Sequence, residues 1–221
     1  MERLLKNLQK ETEMVDAAAA SAVMRKKQIK MSSMDINERR NAYKSIDQEM
    51  DIVISKYIED FLREFSRLYP EFMERWSKQT GAQKWHDVGE GGLKNHSIRL
   101  AKIWIKNVID TTVDTVPSLF LLVFVAITHD FCKVYHYYKI NDNEYGVDAE
   151  QYKHHSKLSV DILEKEMGFV LEPAARTLIL LHMSGFQNQE DMAALTKEDR
   201  DWLTDLRNIQ ILQLLNNADC K

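Results

Sequence analysis

The first 69 residues contain neither glycine nor proline; the earliest of each are Gly81 and Pro70. A segment that long without either main helix breaker is predicted to be helical almost throughout. From Met50 onward, Ile54, Tyr57, Ile58, Phe61, Phe65 and Leu68 recur at steps of three and four, the period of one buried helix face. A cap for that helix is expected near Ser33 or Asp35, whose side chains can accept from free amides at a helix start. Upstream, Leu4, Leu8, Val15 and the run Ala17 to Ala20 form a weaker stripe of small residues. That stripe suits pairing with another helix, from this chain or from a second subunit.

Glycines and all seven histidines lie beyond position 80, the histidines between His86 and His182. This shift divides the chain into a helical N-terminal extension, 1–80, for oligomerisation or partner binding, and a functional domain, 81–221. In the latter, helices are predicted at roughly 92–109, 118–134, 154–168, 173–184 and 197–219. Pro117 and Pro173 suit first-turn positions, and Thr196 with Asp199 resembles a capping box. The polar segment 136–153, with Asn141-Asp142-Asn143 and Gly146, reads as a loop or short hairpin. The expected fold class is all-α.

Charge and composition narrow the function classes. With 44% apolar and 29% charged residues the chain has the balance of a water-soluble globular protein. Its longest apolar stretch, Leu119 to Ile127, is too short to cross a bilayer, so no membrane partner is expected. The early charges of Met1-Glu2-Arg3-Leu4-Leu5-Lys6 offer no secretory signal, and Cys132 and Cys220 make no disulfide framework; a cytoplasmic location is expected. A formal net charge of −4 argues against tight, non-specific binding to duplex nucleic acid. The one dense basic run, Arg25-Lys26-Lys27-Gln28-Ile29-Lys30, reads as a solvated helix face.

The chemistry lies in polar residues on apolar helix faces. His96 shares a face with Leu93, Leu100 and Ile103; His129 with Leu122, Val125 and Ala126; Asp130 with Val123, Ala126 and Ile127. His182 falls with Ala175, Leu178 and Ile179, and Asp219 follows Leu212 and Leu215. One such histidine alone reads as a hydrogen-bonded core residue. Two buried carboxylates with three imidazoles are a different matter, because each charge is unfavourable in a core unless paired or coordinated, and a shared cation satisfies all five. Nitrogen and oxygen ligands together suit manganese, magnesium, iron, nickel or zinc, and the absence of a cysteine cluster argues against a closed structural zinc site.

Three segments carry a resemblance: Gly91-Gly92-Leu93-Lys94-Asn95-His96-Ser97, then Ala126-Ile127-Thr128-His129-Asp130-Phe131-Cys132-Lys133-Val134, then Asn217-Ala218-Asp219. Together they resemble the HD-domain metal-dependent phosphohydrolase superfamily over about residues 85–221. They are most similar to the HD domains of YhaM-type exoribonucleases and of relaxase-associated HD proteins. The resemblance implies an HD-type helical bundle and a divalent metal held by His96, His129, Asp130 and Asp219. His155 and His182 would admit a second ion, so one or two per chain are expected; the other reading of His154 and His155 is a pair of surface residues at a helix start.

A lone His-Asp dipeptide carries no weight, and the second copy, His86-Asp87, sits in a glycine-bearing loop as a decoy or part of the pocket rim. The elements that mark cyclic-di-GMP phosphodiesterases, stringent-response hydrolases and deoxynucleoside triphosphate hydrolases are absent from the expected places. The expectation is therefore hydrolysis of a phosphomonoester or phosphodiester in a nucleotide or short nucleic acid. Asp130 would hold the metal and orient water. Lys133, and more weakly Arg99 and His86, would meet the substrate. Two other readings stand beside it: a non-catalytic metal- or nucleotide-binding module that regulates a partner through its N-terminal helices, and a helical interaction protein with buried polar networks.

Overall fold

A computed structural model describes residues 1–82, 87–111, 116–141, 144–149, 154–183 and 189–220, with positions 189 and 190 described by their backbone alone. Helix α1 (Glu2–Met31) and helix α2 (Ile36–Leu68) fold back on each other across an elbow at 32–35. Asp35 is the cap: its carboxylate accepts from the Asn37 and Glu38 amides, and the Glu38 side chain accepts from the Asp35 amide. The small-residue stripe buries Leu4, Leu8, Val15, Ala19 and Ala22, and the Thr12 and Tyr57 hydroxyls meet at 2.6 Å between the two helices. The partner of that stripe is thus within this chain. Asp16 reaches further and accepts the Leu119 amide at 2.6 Å.

Helix α3 (Pro70–Lys78) was not foreseen; Pro70 occupies its first position, where its fixed φ is preorganised and its missing N–H is no loss. Helix α4 (Gly92–Thr111) matches expectation, while α5 (Leu119–Thr128) starts from a Ser118 cap, so Pro117 precedes the cap instead of lying in the first turn. The predicted helix over 118–134 does not run straight through. After His129 the amides of Phe131, Lys133, Val134 and Tyr135 bond three residues back, which tightens the chain into a turn before the short α6 (Lys133–His136).

The predicted loop or hairpin contains strands β1 (Tyr137–Asn141) and β2 (Glu144–Val147), paired antiparallel. Helix α7 (His155–Asp161) widens into a π-turn over Ile162–Glu166, and α8 (Pro173–Leu181) places Pro173 in its first turn as expected. After α9 (Gln189–Ala193), the helix expected over 197–219 is two: α10 (Lys197–Trp202), with the Thr196–Asp199 capping box in place, and α11 (Leu206–Asp219). Asp205 separates them by accepting the Arg207 amide and starting a new helix. Helix dominates and the two short strands form the one sheet among the described residues, so the fold is all-α.

The core is aromatic and crosses position 80. Phe65 of α2 packs on Phe131 (5.7 Å between ring centres) and Phe169 (5.9 Å), and Phe61 meets Phe124. Burying a side chain of this size contributes about 1.5–3 kcal/mol. α2 therefore braces both the site-bearing helix α5 and the residue after Asp130. The window Leu119–His136 is apolar enough to cross a membrane, yet 83% of it is buried inside the fold and the chain turns within it.

Candidate metal centre

Four elements converge on one buried point. His96 comes from the second turn of α4, His129 and Asp130 from the turn that ends α5, His182 from the end of α8, and Asp219 from the last residue of α11. All five are buried. His96 Nε2 lies 2.9 Å from Asp219 Oδ1 and 3.8 Å from Asp130 Oδ2. His129 Nε2 lies 3.2 Å from Asp130 Oδ2 and 3.4 Å from Asp219 Oδ1. His182 Nε2 faces the other Asp130 oxygen, Oδ1, at 3.7 Å. Two donor groups result, His96 with His129 and Asp219, and His129 with Asp130 and His182, each with its ligand atoms within 4.8 Å of one another.

The tautomers follow from the backbone. His129 Nδ1 is 3.0 Å from the Ala126 carbonyl and His182 Nδ1 is 2.7 Å from the Ile179 carbonyl. A carbonyl only accepts, so each Nδ1 carries a proton, and the neutral form of each ring, the form that binds a metal, has its Nε2 lone pair toward the carboxylates. This is the arrangement by which a backbone acceptor orients a metal-ligating imidazole. His129 Nε2, fully buried between two carboxylate oxygens, makes a hydrogen bond to neither. A lone pair facing carboxylates is repelled unless a proton or a cation lies between them, and this donor set suits a divalent cation. The residues present fit a metal.

Without a metal, the charges distort titration in opposite senses. Burial pushes His129 down, but Asp130 and Asp219 outweigh it and hold its pKa up at about 10. Burial, with the positive His129 beside it, drives His182 down to about 3. Burial opposes ionisation of Asp130 and Asp219, yet Lys133 and His129 hold Asp130 well below the usual carboxylate range, and His129 and His96 do the same for Asp219. Burial, then the Asp130 charge, raises the Cys132 thiol to about 12, so it stays protonated.

Lys133 is drawn inward instead of snorkelling to solvent. Its Nζ is 2.6 Å from Asp130 Oδ2 and donates to the Gly81 carbonyl at 2.8 Å. Arg99 is held in a two-pronged pair with Asp87, at 2.7 and 2.5 Å, with Nη2 at 3.4 Å from His96 Nδ1. His155 is buried with its ring 5.2 Å from that of His182, but it stands outside both donor groups. His86 lies outside the described residues.

Asp87, expected only as part of a decoy dipeptide or of the pocket rim, lies against the site itself. It supplies the carboxylate behind His96, with Oδ2 3.5 Å from Nδ1, while clamping Arg99. Gly92 makes this possible: a Cβ there would fall 1.8 Å from the Asp87 carbonyl oxygen, so only glycine lets the 87–92 turn close, and the Gly81 amide seals it by donating to the same oxygen at 2.9 Å. The usable signal was the glycine pair with an arginine one turn past His96; the His-Asp dipeptide itself gave none. Comparison with protein-family models, curated proteins and solved structures found no match for this chain.

Proposed function

We propose that this chain is a metal-dependent phosphohydrolase of the HD type, acting on a phosphomonoester or phosphodiester bond of a nucleotide or short nucleic acid. The observation that carries the reading is the buried His129 Nε2, oriented by Ala126 and flanked by Asp130 and Asp219. His96, His129, Asp130 and Asp219 would hold one divalent cation, manganese, magnesium, iron, nickel or zinc. A second ion would take His182 and share Asp130 alone, whose two carboxylate oxygens can each meet one ion, because the single Nε2 lone pair of His129 serves one ion only. A cation bound there lowers the pKa of water toward about 7 and offsets charge on a phosphoester.

The protein side chains supply the rest. Asp130 turns Oδ2 toward His129 and Lys133 and Oδ1 toward His182, and would orient water at the ion. Lys133, paired with Asp130, would neutralise a phosphate oxygen as a point charge. Arg99, part exposed and clamped by Asp87, would do so from the other side of His96. One observation favours the alternative of a non-catalytic metal- or nucleotide-binding module: both cations already have carboxylate partners.

The test is a screen of nucleotides, cyclic nucleotides and short RNA or DNA with each metal, run beside His129→Ala and Asp130→Ala. Turnover that both variants lose supports the enzyme. Metal and nucleotide binding without turnover supports the module.

A further inference from the structure

The metal centre leaves the dense basic run of α1 unused, and the fold gives that run a setting the sequence did not reveal. Residues 24–44 form the tip of the α1–α2 hairpin and contain seven lysines and arginines against two acids, in a chain whose formal net charge is −4. Two of these cations are neutralised locally: Arg25 pairs with Glu49, and Lys26 with Asp47 and Asp110. Arg39 donates to the Ser32 and Met34 carbonyls and, with the Asp35 cap, holds the elbow in one shape. Lys27, Lys30, Arg40 and Lys44 have no ion-pair partner among the described residues, and all four are exposed. Between them the tip presents Met31 (79% exposed), Met34 (41%) and Ile36 (81%), with Met24 (60%) one turn or more back along α1.

A solvated helix face has no use for this apolar surface, and the four unpaired cations select among occupants. Two copies of the tip would set like charges against each other. Single-stranded nucleic acid would meet the lysines but needs exposed rings for its bases, and the one aromatic side chain on the tip, Tyr43, is half-buried with its hydroxyl turned to the Lys26 carbonyl. An anionic bilayer surface satisfies both halves of the pattern: headgroups meet Lys27, Lys30, Arg40 and Lys44 while methionine and isoleucine enter the acyl boundary.

We propose that the α1–α2 elbow is a peripheral docking surface for an anionic lipid bilayer. The reading is independent of the metal centre, which lies at the opposite end of α4 from Asp110, the Lys26 partner.

The experiment is co-sedimentation of the full chain with vesicles of phosphatidylcholine alone or mixed equally with phosphatidylglycerol, beside anisotropy with a short single-stranded RNA. The expected result is partition onto the anionic vesicles that falls steeply between about 0.05 and 0.5 M salt. Lys27→Gln or Lys30→Gln should each weaken partition about fivefold, and Met31→Ser with Ile36→Ser about tenfold or more. Unchanged thermal midpoints would show these exposed substitutions leave the fold intact. Equal binding to neutral vesicles, no partition at all, or RNA binding that the tip variants abolish without vesicle binding would each overturn the proposal.

Discussion

His96 and Asp219 lie more than half the chain apart in sequence, yet Nε2 of one lies 2.9 Å from Oδ1 of the other. Helices α4 and α11 lie side by side to achieve this, and the Trp104 indole N–H donates to the Ile211 carbonyl further along the same contact. The position of Asp219 in the last turn of α11 depends on that packing. Trp104→Phe, which removes the donor and leaves a smaller aromatic ring at a fully buried position, is expected to lower metal affinity about threefold to tenfold while leaving helicity intact; isothermal titration with manganese measures it.

Proton release should accompany metal binding. In the metal-free protein His129 keeps its proton up to about pH 10, and a cation must displace it. Titration at pH 8 in buffers of different ionisation enthalpy is expected to report release of about one proton. The same proton stabilises the metal-free fold, since its folded pKa lies above the unfolded value of about 6.5. That contribution is complete below about pH 6.5 and disappears as pH rises through about 10, so the metal-free thermal midpoint should fall across that window. A flat midpoint would contradict the assignment.

Lys133 approaches Asp130 Oδ2 to 2.6 Å and would compete with a cation for that oxygen. Lys133→Met is therefore expected to tighten divalent metal binding by about tenfold and yet to reduce phosphoester hydrolysis. Weakened metal binding would show that Lys133 supports the ligand geometry instead of opposing the ion.

The all-α class, the α1–α2 segment and the convergence of four candidate site residues were readable because each leaves a periodic trace: missing helix breakers, apolar steps of three and four, and polar residues on apolar faces. Three features left no such trace. The split between α10 and α11 rests on the local competition of Asp205 for the Arg207 amide, which looks like any polar helix position in sequence. The turn after His129 comes from bonds three residues back with no glycine or proline to mark it. Asp87 acts through a close backbone approach that only the folded loop creates. Of the two histidines named for a second ion, His182 lies with His129 and Asp130, while His155 stands behind His182 and outside that group.

Phe61 of α2 packs on Phe120 and Phe124 of the site-bearing helix. Phe61→Ala is expected to destabilise the whole chain by about 3–5 kcal/mol, with one unfolding transition seen alike by circular dichroism and by metal release. Two separate transitions would show that the N-terminal helices fold apart from the site.

The central claim is that imidazoles and carboxylates from α4, the α5 turn and α11 share one divalent cation. Crystals grown with manganese and measured at an energy where it scatters anomalously test it directly. The account predicts a peak at coordination distance from His96, His129, Asp130 and Asp219; no peak there, or a peak at another site alone, would contradict it.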